Sequence, residues 1–393
     1  MAFPRRTLFL LAALLFPLAA HSQIREEYRP LADLLSTKPG REPTEGNLVE
    51  IIPTGPELYF RLQEDIMAAR ETVHSEFFIF DATPAGNVIR TAFRLKALEG
   101  LEVRYIAEDL THKAGYIDAM KKCGAQVKHH PFFPIRRRNH QKLLLLDGKV
   151  GYTGGFNIDS DNFFEWNDVG VRVQGPVVSK LEMLYADMWR RRGGESSAHE
   201  ITEPEPFPGG VIVQSVDEDP LAKDRINLKA YLWIIDNARD YIYARSPYFK
   251  PPEELADALS AAARRGVEVR LVIPEHKDSP SRSVVPFERT FYEDMVHAGV
   301  HIHMLGEGFD HGKVLVSDNY ISAIGSVNLD ALSLIYNYEN NLFFYDEPVA
   351  IKVKAMIEEV LGNCYELTPE QVDAFPAWNR TFKGPLRALG KLF

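Results

Sequence analysis

Cysteine is nearly absent from this chain, and its scarcity excludes two classes of protein. Only Cys123 and Cys364 occur among the 393 residues, which excludes a small scaffold held together by many disulfides. Neither cysteine has a histidine pair near it in the sequence, which excludes a cysteine-containing zinc site. The two thiols are far apart in the sequence, so an oxidised pair and two buried free thiols both stay open.

An excess of positive charge is also missing. The formal net charge is −10 at pH 7, so the protein as a whole is not a general binder of polyanions. Any attraction to phosphate must therefore come from local clusters of basic residues. The length allows two or three domains, and the apolar fraction of 45% is enough for ordinary cores.

Long apolar runs are missing except at the start of the chain. Two arginines precede an apolar run at 8–20, and short polar residues follow it. Because this run is shorter than the roughly 20 residues that cross a bilayer, it predicts a cleaved signal peptide at 1–22 in preference to a membrane anchor. The expected protein is exported, periplasmic or secreted, and able to lie peripherally on a membrane surface.

The chain does contain a pattern of five residue types that occurs twice at a constant offset of 171 residues. His140, Lys142, Asp147, Gly154 and Asn157 recur in the same order as His311, Lys313, Asp318, Gly325 and Asn328. A histidine and a lysine two positions apart on a strand point to the same face. Each copy therefore presents one imidazole and one fixed cation together.

The repeat extends beyond these residues and predicts a duplicated fold. The segment 100–104 recurs at 266–270, each time after a helical pattern and before an apolar run. Such alternation predicts an α/β fold made of two duplicated domains, with mostly parallel central sheets flanked by helices and a pseudo-twofold axis between them. The expected segments are a signal peptide at 1–22, an N-terminal extension at 23–46, a first domain at 47–192, a linker at 193–219, a second domain at 220–365 and a basic amphipathic C-terminal tail at 366–393.

The paired residues are suited to cleaving a phosphodiester. One neutral imidazole can attack phosphorus while the other, protonated, donates to the leaving oxygen, which gives a covalent phosphohistidine. The two lysines stabilise negative charge on the non-bridging oxygens, and Asn157, Asn328 and Ser326 are expected to donate hydrogen bonds to the same oxygens. Neither a metal nor a cofactor is expected, because two lysines already neutralise the phosphate.

Four carboxylates accompany the motif. Asp168 and Glu339 are also 171 residues apart, and we expect them to orient the two histidines; the alternative is a pair of surface acids on strands. Asp147 and Asp318 stand next to Gly148 and Asn319, where a hairpin turn is expected. Bracing that turn is the role that their position favours.

These residues resemble the phospholipase D superfamily, whose hallmark is two copies of H-x-K-x4-D followed by G-[SG]-x-x-N. Within it the chain is most similar to bacterial cardiolipin synthases, over roughly residues 47–365. The similar segments are 138–142, 152–158, 246–249 and 325–330. The resemblance implies that Asp147 and Asp318 count with the catalytic set and that His140 is the nucleophile, although the residues alone do not decide which histidine attacks.

The chain departs from that pattern at several places. Typical cardiolipin synthases carry N-terminal membrane helices or a basic anchor on the cytosolic side, whereas a signal peptide is expected here. Gln141 replaces a common Arg, and Asp310 and Gly312 flank His311 where an apolar residue and Ala are usual. These changes leave the reaction type intact and the acceptor, which is water, glycerol or phosphatidylglycerol, undecided.

Two basic segments bear on the substrate. Arg136, Arg137 and Arg138, which follow two phenylalanines, are expected to bind an anionic lipid headgroup. The tail is either an interfacial segment or a helix packed on the domain. We therefore predict a monomeric phosphatidyltransferase or phospholipase D that acts on glycerophospholipids at a membrane surface. The alternative is an exported endonuclease with the same residues; the acidic net charge makes nucleic acid an unfavourable partner.

Overall fold

The computed structural model describes residues 23–112, 115–134, 136–197, 199–276 and 282–390. Its strands are β1 Thr44–Ile52, β2 Thr72–Phe77, β3 Glu102–Glu108, β4 Gln126–His130, β5 Leu143–Leu146, β6 Val150–Gly154, β7 Trp166–Asn167, β8 Gly170–Gln174, β9 Val211–Glu218, β10 Tyr241–Arg245, β11 Phe249–Lys250, β12 Glu268–Pro274, β13 His301–Leu305, β14 Phe309–Asp310, β15 Val314–Ser317, β16 Ile321–Gly325, β17 Leu329–Asp330, β18 Glu339–Tyr345 and β19 Cys364–Glu366. We call the part with β1–β8 the first half and the part with β9–β19 the second half.

The α-helices are α1 Arg29–Leu35, α2 Gly55–Ala68, α3 Pro84–Leu98, α4 Asp118–Lys121, α5 Ser160–Phe164, α6 Val177–Arg191, α7 Ile226–Asn237, α8 Glu253–Arg264, α9 Val285–His297, α10 Glu347–Leu361, α11 Pro369–Asp373, α12 Ala377–Thr381 and α13 Lys383–Gly390. Short 3₁₀ turns lie at Glu26–Tyr28 and Arg282–Val284, and a π-helix lies at Leu332–Tyr336.

One 15-stranded sheet runs through both halves in the order β19-β13-β12-β10-β15-β16-β18-β9-β1-β8-β6-β5-β2-β3-β4. Counted outward from the contact between β9 and β1, the equivalent strands of the two halves occur in the same order on each side. A pseudo-twofold axis at that contact produces this arrangement. The predicted duplicated α/β fold is confirmed. The expectation of mostly parallel sheets is corrected, because the two halves share one sheet and most of its strand pairs are antiparallel. The strands β2-β3-β4 and β10-β12-β13 are parallel, and the strands between these two groups are antiparallel. The limits given above for the separate domains stay predictions.

The antiparallel centre follows from short connections. β5 and β6 are joined by a turn in which Asp147 and Gly148 have φ of 53° and 61°, and β15 and β16 are joined by an equivalent turn. A connection this short can link only antiparallel strands. The parallel strands are joined through helices instead, such as α3 between β2 and β3.

The sheet buries apolar side chains on both faces. On one face, α6 and α10 cover a core to which both halves contribute, including Val171 and Leu342. On the other face each half has its own core. The shared core fixes the two halves against each other, which places the ends of their central strands side by side.

Two further strand contacts cross between the halves beside those ends. β14 pairs in parallel with β7, with Asp310 opposite Asn167. Asn139 forms the equivalent parallel bridge with Tyr338. His140 and His311 directly follow the bridged residues, so each motif histidine is anchored to the other half of the chain.

The C-terminal tail packs on α8 and α9 through its cations. Arg380 lies 2.9 Å from Glu293, and Arg387 lies 2.7 Å from Glu253. Trp378 and Phe382 are 44% and 55% exposed. Of the two alternatives for the tail, a helical segment packed on the protein is the one that the described residues adopt.

Cys123 and Cys364 are free thiols. Among the residues that the structure describes, none of the helices has the length and apolar character needed to span a membrane. The predicted signal peptide lies outside the described residues.

Candidate active site

Two histidines, one from each half, are each held by a carboxylate from the opposite half. His140 Nδ1 lies 2.8 Å from an oxygen of Glu339, the first residue of β18. His311 Nδ1 lies 2.7 Å from an oxygen of Asp168, between β7 and β8. All four side chains are buried. A carboxylate on Nδ1 fixes the tautomer that keeps Nε2 free to act on a substrate.

Lys142 and Lys313 share this site. The Nζ of each donates to the carbonyl oxygen of the histidine two positions earlier, at 2.7 and 2.5 Å. Burial lowers the pKa of Lys142 to about 7 and that of Lys313 to about 8. Burial and the charges of both lysines also lower the pKa of both imidazoles, for His311 to about 4. Since each lysine acts on both imidazoles, the four groups occupy one site.

Aromatic rings make the surroundings of the histidines weakly polar. The ring of Phe78 lies 4.9 Å from that of His140, and Trp166 lies 5.0 Å from His311. Backbone also approaches closely here, because a Cβ on Gly155 would stand only 2.3 Å from Asp168 Oδ1. Burial beside these rings strengthens every charge interaction within the site.

The two orienting carboxylates differ in protonation. Burial raises the pKa of Asp168, but the stronger combined effect of His311 and Lys313 holds it below its usual value. Burial raises the pKa of Glu339 to about 7, although Lys142 and a hydrogen bond from Ser326 oppose that change. An ionised carboxylate therefore faces His311 at neutral pH, and a partly protonated one faces His140.

The three residues expected to donate to phosphate oxygens lie in different places. The Asn157 side chain accepts a hydrogen bond from the Ile79 backbone at 3.2 Å. The Ser326 hydroxyl donates to Glu339, so it supports the orienting carboxylate instead. Asn328 is buried, and its side-chain oxygen has no hydrogen-bond partner among the described residues. Donation to a substrate phosphate stays a prediction for Asn157 and Asn328.

Asp147 and Asp318 stand at the far ends of β5 and β15 from the histidines. The Asp147 carboxylate accepts from the backbone N–H groups of residues 70–72 at 2.8–2.9 Å. Asp318 accepts from those of residues 239–241 at 2.8–3.1 Å. The resemblance implied that Asp147 and Asp318 are catalytic residues, and these contacts correct that prediction. Both side chains brace turns, as their position next to Gly148 and Asn319 favoured.

We expect Asp147→Ala to destabilise the fold without slowing the chemistry. The change removes a charged acceptor of three N–H groups and places alanine at a positive φ, which together cost about 2 kcal/mol. The measurements are the free energy of unfolding in urea and kcat. Asp147→Asn is the matched control, because asparagine keeps one acceptor and tolerates this backbone. A loss of kcat in folded Asp147→Ala would contradict this assignment.

The predicted headgroup arginines divide into two groups. Arg138 is half-buried, and its charge lowers the pKa of His140. Arg136 and Arg137 instead line a groove of about 480 Å³ that also contains Lys223 and Arg225. The remaining lining residues are Pro134, Pro220, Ile335 and Tyr336. Sequence reasoning missed Lys223 and Arg225, which have no counterpart in the repeated motif and lie close to the predicted linker.

Comparisons with known proteins match most of the chain. The family model described as "Cardiolipin synthase, PLD-like domain" matches residues 62–189 and 231–361. Cardiolipin synthase 1 of Staphylococcus epidermidis is 32% identical over 377 residues, covering 89% of this chain and 75% of that protein. Cardiolipin synthase of Listeria monocytogenes is 33% identical (88% and 75%), and the major cardiolipin synthase of Bacillus subtilis is 30% identical (89% and 76%).

Solved structures share the fold at low sequence identity. Phosphatidylserine synthase of Haemophilus influenzae superposes with a TM-score of 0.69 at 11% identity, covering 93% of this chain and 96% of that chain. Polyphosphate kinase of Porphyromonas gingivalis gives a TM-score of 0.56 at 14% identity, covering 91% and 56%. These likenesses support the two-part α/β architecture alone.

The same comparisons correct the expected location. The prediction of an exported, periplasmic or secreted protein is wrong, because the relatives that match most of this chain are bacterial cardiolipin synthases. The prediction rested on residues 1–22 alone.

Proposed function

The chain belongs to the cardiolipin synthase family with phospholipase D-like domains and is a phospholipid phosphatidyltransferase, and we propose that it works through a phosphohistidine intermediate. The observation that carries this proposal is the pair of crossed carboxylate–histidine contacts with two lysines in one buried site. All of these groups come from one chain, so a monomer contains the whole site.

In the first step His140 Nε2 attacks the phosphorus of a bound phosphodiester. The new P–N bond forms as the bond to the leaving alkoxide breaks, and His311 gives its Nε2 proton to that oxygen. The ionised Asp168 makes His311 the better proton carrier, because a negative charge beside an imidazole stabilises its protonated form. The negative phosphate also offsets the lysine charges that lower the pKa of free His311.

In the second step the roles reverse. Neutral His311 removes the proton of an incoming alcohol, the alcohol oxygen attacks phosphorus, and the P–N bond to His140 breaks. Lys142 and Lys313 stabilise the charge on the non-bridging oxygens in both transition states. Both histidines then return to their starting protonation states. A lipid alcohol as acceptor gives transfer, whereas water gives hydrolysis.

The substrate is an anionic glycerophospholipid, and the basic groove supports this choice. Arg136, Arg137, Lys223 and Arg225 surround a space beside the residues that lead into His140. Phe133 next to this groove is 77% exposed, as a side chain that enters the lipid interface would be. We propose that the groove faces the membrane and binds the headgroup.

We expect Lys223→Glu with Arg225→Glu to raise KM for phosphatidylglycerol vesicles by about 10-fold or more, since each cation near an anionic surface contributes roughly 1 kcal/mol. The value of kcat should stay within about twofold, because neither side chain reaches the histidines. Lys149→Glu, in the β5–β6 turn far from the groove, is the matched control. A fall in kcat at unchanged KM would contradict a binding role.

The function itself is tested by incubating the purified full chain with phosphatidylglycerol vesicles and, separately, with plasmid DNA. We expect lipid products and intact plasmid. Cut plasmid with unchanged lipid would favour the endonuclease alternative. A labelled-glycerol chase then separates transfer from hydrolysis.

A further inference from the structure

A buried ion pair stands directly behind His311. The guanidinium of Arg245, at the end of β10, donates to both oxygens of Asp310, with Nε at 3.1 Å from Oδ2. Arg245 and Asp310 are 2% and 0% exposed. Arg245 also donates to the backbone oxygen of Asn167 at 3.4 Å, and that same oxygen accepts the N–H of His311 at 2.9 Å. The pair therefore reaches the backbone that carries both His311 and Asp168.

The first half has a different pair at the equivalent place. Residues 70–72 and 239–241 make the same contacts with the two turn aspartates, so β2 and β10 correspond with an offset of 169. That offset matches Glu76 to Arg245, and the motif offset matches Asn139 to Asp310. The Asn139 amide donates to Glu76 at 2.6 Å. Burial raises the pKa of Glu76 to about 8, so this pair is a neutral carboxyl with an amide.

Gly312 makes room for the ion pair. A Cβ at this position would lie 3.0 Å from the guanidinium carbon of Arg245, a separation that requires one of the two to move. The first half has Gln141 here, and the residue that corresponds to Arg245 is Glu76. The unusual Asp310 and Gly312 are thus explained together by one side chain, Arg245.

Each pair is joined to a strand bridge between the halves. Asp310 is bridged to Asn167, which precedes Asp168, and Asn139 is bridged to Tyr338, which precedes Glu339. Each bridge joins the residue before a histidine to the residue before its carboxylate partner. A side-chain pair that fixes this bridge therefore fixes both the histidine and the carboxylate.

We propose that Arg245 and Asp310 are positioning residues that hold His311 against Asp168 through the β14–β7 bridge, and that Glu76 and Asn139 do the same for His140. The inference rests on the proposed function, because it assigns His311 a catalytic task. Neither pair contacts the substrate. Each pair fixes the position of a histidine, so the loss of a pair should lower kcat more than it changes KM.

The test uses Asp310→Asn, Arg245→Met and the double variant R245E/D310N, which installs the first-half pair in the second half. We expect each single variant to lose about 10- to 100-fold in kcat, the range expected when a catalytic group is displaced by ~1 Å, with KM within about twofold. The double variant should recover most of that loss, because a complete buried pair replaces a broken one. Arg270→Met, which removes a surface ion pair on β12, is the matched control.

Gly312→Ala gives a second measurement if the single variants do not fold. It keeps both charges and displaces the guanidinium, so a several-fold loss of kcat is expected. Folded single variants with wild-type kcat, or a folded double variant no better than either single, would overturn the inference.

A readout that is independent of turnover separates this inference from the proposed function. ¹⁵N-histidine NMR should show the Nδ1–H tautomer of His311 in the wild type and a mixture in Asp310→Asn. If the wild type fails to convert phosphatidylglycerol but the tautomer shifts, the function is wrong and the positioning role stands. If Asp310→Asn shows normal turnover and an unchanged tautomer, the positioning role is wrong and the proposed function stands.

Discussion

Replacing either His140 or His311 by alanine is expected to reduce the turnover of phosphatidylglycerol by on the order of 10⁶-fold, since each removes a group that makes or breaks a bond to phosphorus. The two losses should not add in the double variant, because the imidazoles act as a unit in both steps. The measurement is kcat for labelled phosphatidylglycerol in vesicles, with circular dichroism to confirm folding.

The matched control for this prediction is His129→Ala. His129 pairs with Asp109 at the protein surface and has no counterpart in the repeat. We expect its kcat to equal that of the wild type. If His311→Ala turned over at the wild-type rate while His140→Ala did not, an acid other than His311 would have to serve the leaving group.

Substituting an orienting carboxylate, Asp168 or Glu339, should have the second largest effect on turnover. The pH dependence of the loss should differ between these two residues. An amide in place of a carboxylate on Nδ1 favours the wrong tautomer, which costs on the order of 10⁴-fold in a comparable site. Asp168 has a lowered pKa and is ionised throughout the neutral range. Asp168→Asn should therefore cost the same factor at pH 6 and pH 8.

Glu339→Gln should behave differently because the pKa of Glu339 is raised to about 7. A raised carboxyl pKa means that the neutral form predominates below about pH 7, and glutamine resembles that form. The ratio of wild-type to Glu339→Gln activity should therefore be small at pH 6 and grow as the pH rises to 8. An equal ratio at both pH values would contradict a partly protonated Glu339.

The repeated motif made much of the site predictable from the sequence. A constant offset of 171 requires two equivalent strands, and a duplicated α/β fold brings equivalent strands together. Asp168 and Glu339 could be found because they keep that offset. The turn-bracing role of Asp147 followed from its neighbour Gly148, since an aspartate beside a glycine favours a tight turn.

The rest depends on contacts between segments that are distant in the sequence. The crossed pairing of carboxylates and histidines results from the β14–β7 contact, whose strands are only two residues long, and from the single Asn139–Tyr338 bridge. Both are too short to give a periodic signal in the sequence. Arg245 is the last residue of β10, and no pattern in the sequence links it to Asp310, so their contact is visible only in the structure. Lys223 and Arg225 reach the groove through the packing of the halves, which no local pattern encodes.

The covalent intermediate is the most direct test of the account. Full-length protein would be mixed with labelled phosphatidylglycerol, quenched within milliseconds and digested for mass spectrometry. We predict a phosphatidyl group on His140, acid-labile and stable to base, that disappears in His140→Ala and is formed more slowly in His311→Ala. Turnover with the label on neither histidine, or on a residue outside the crossed pairs, would contradict the account.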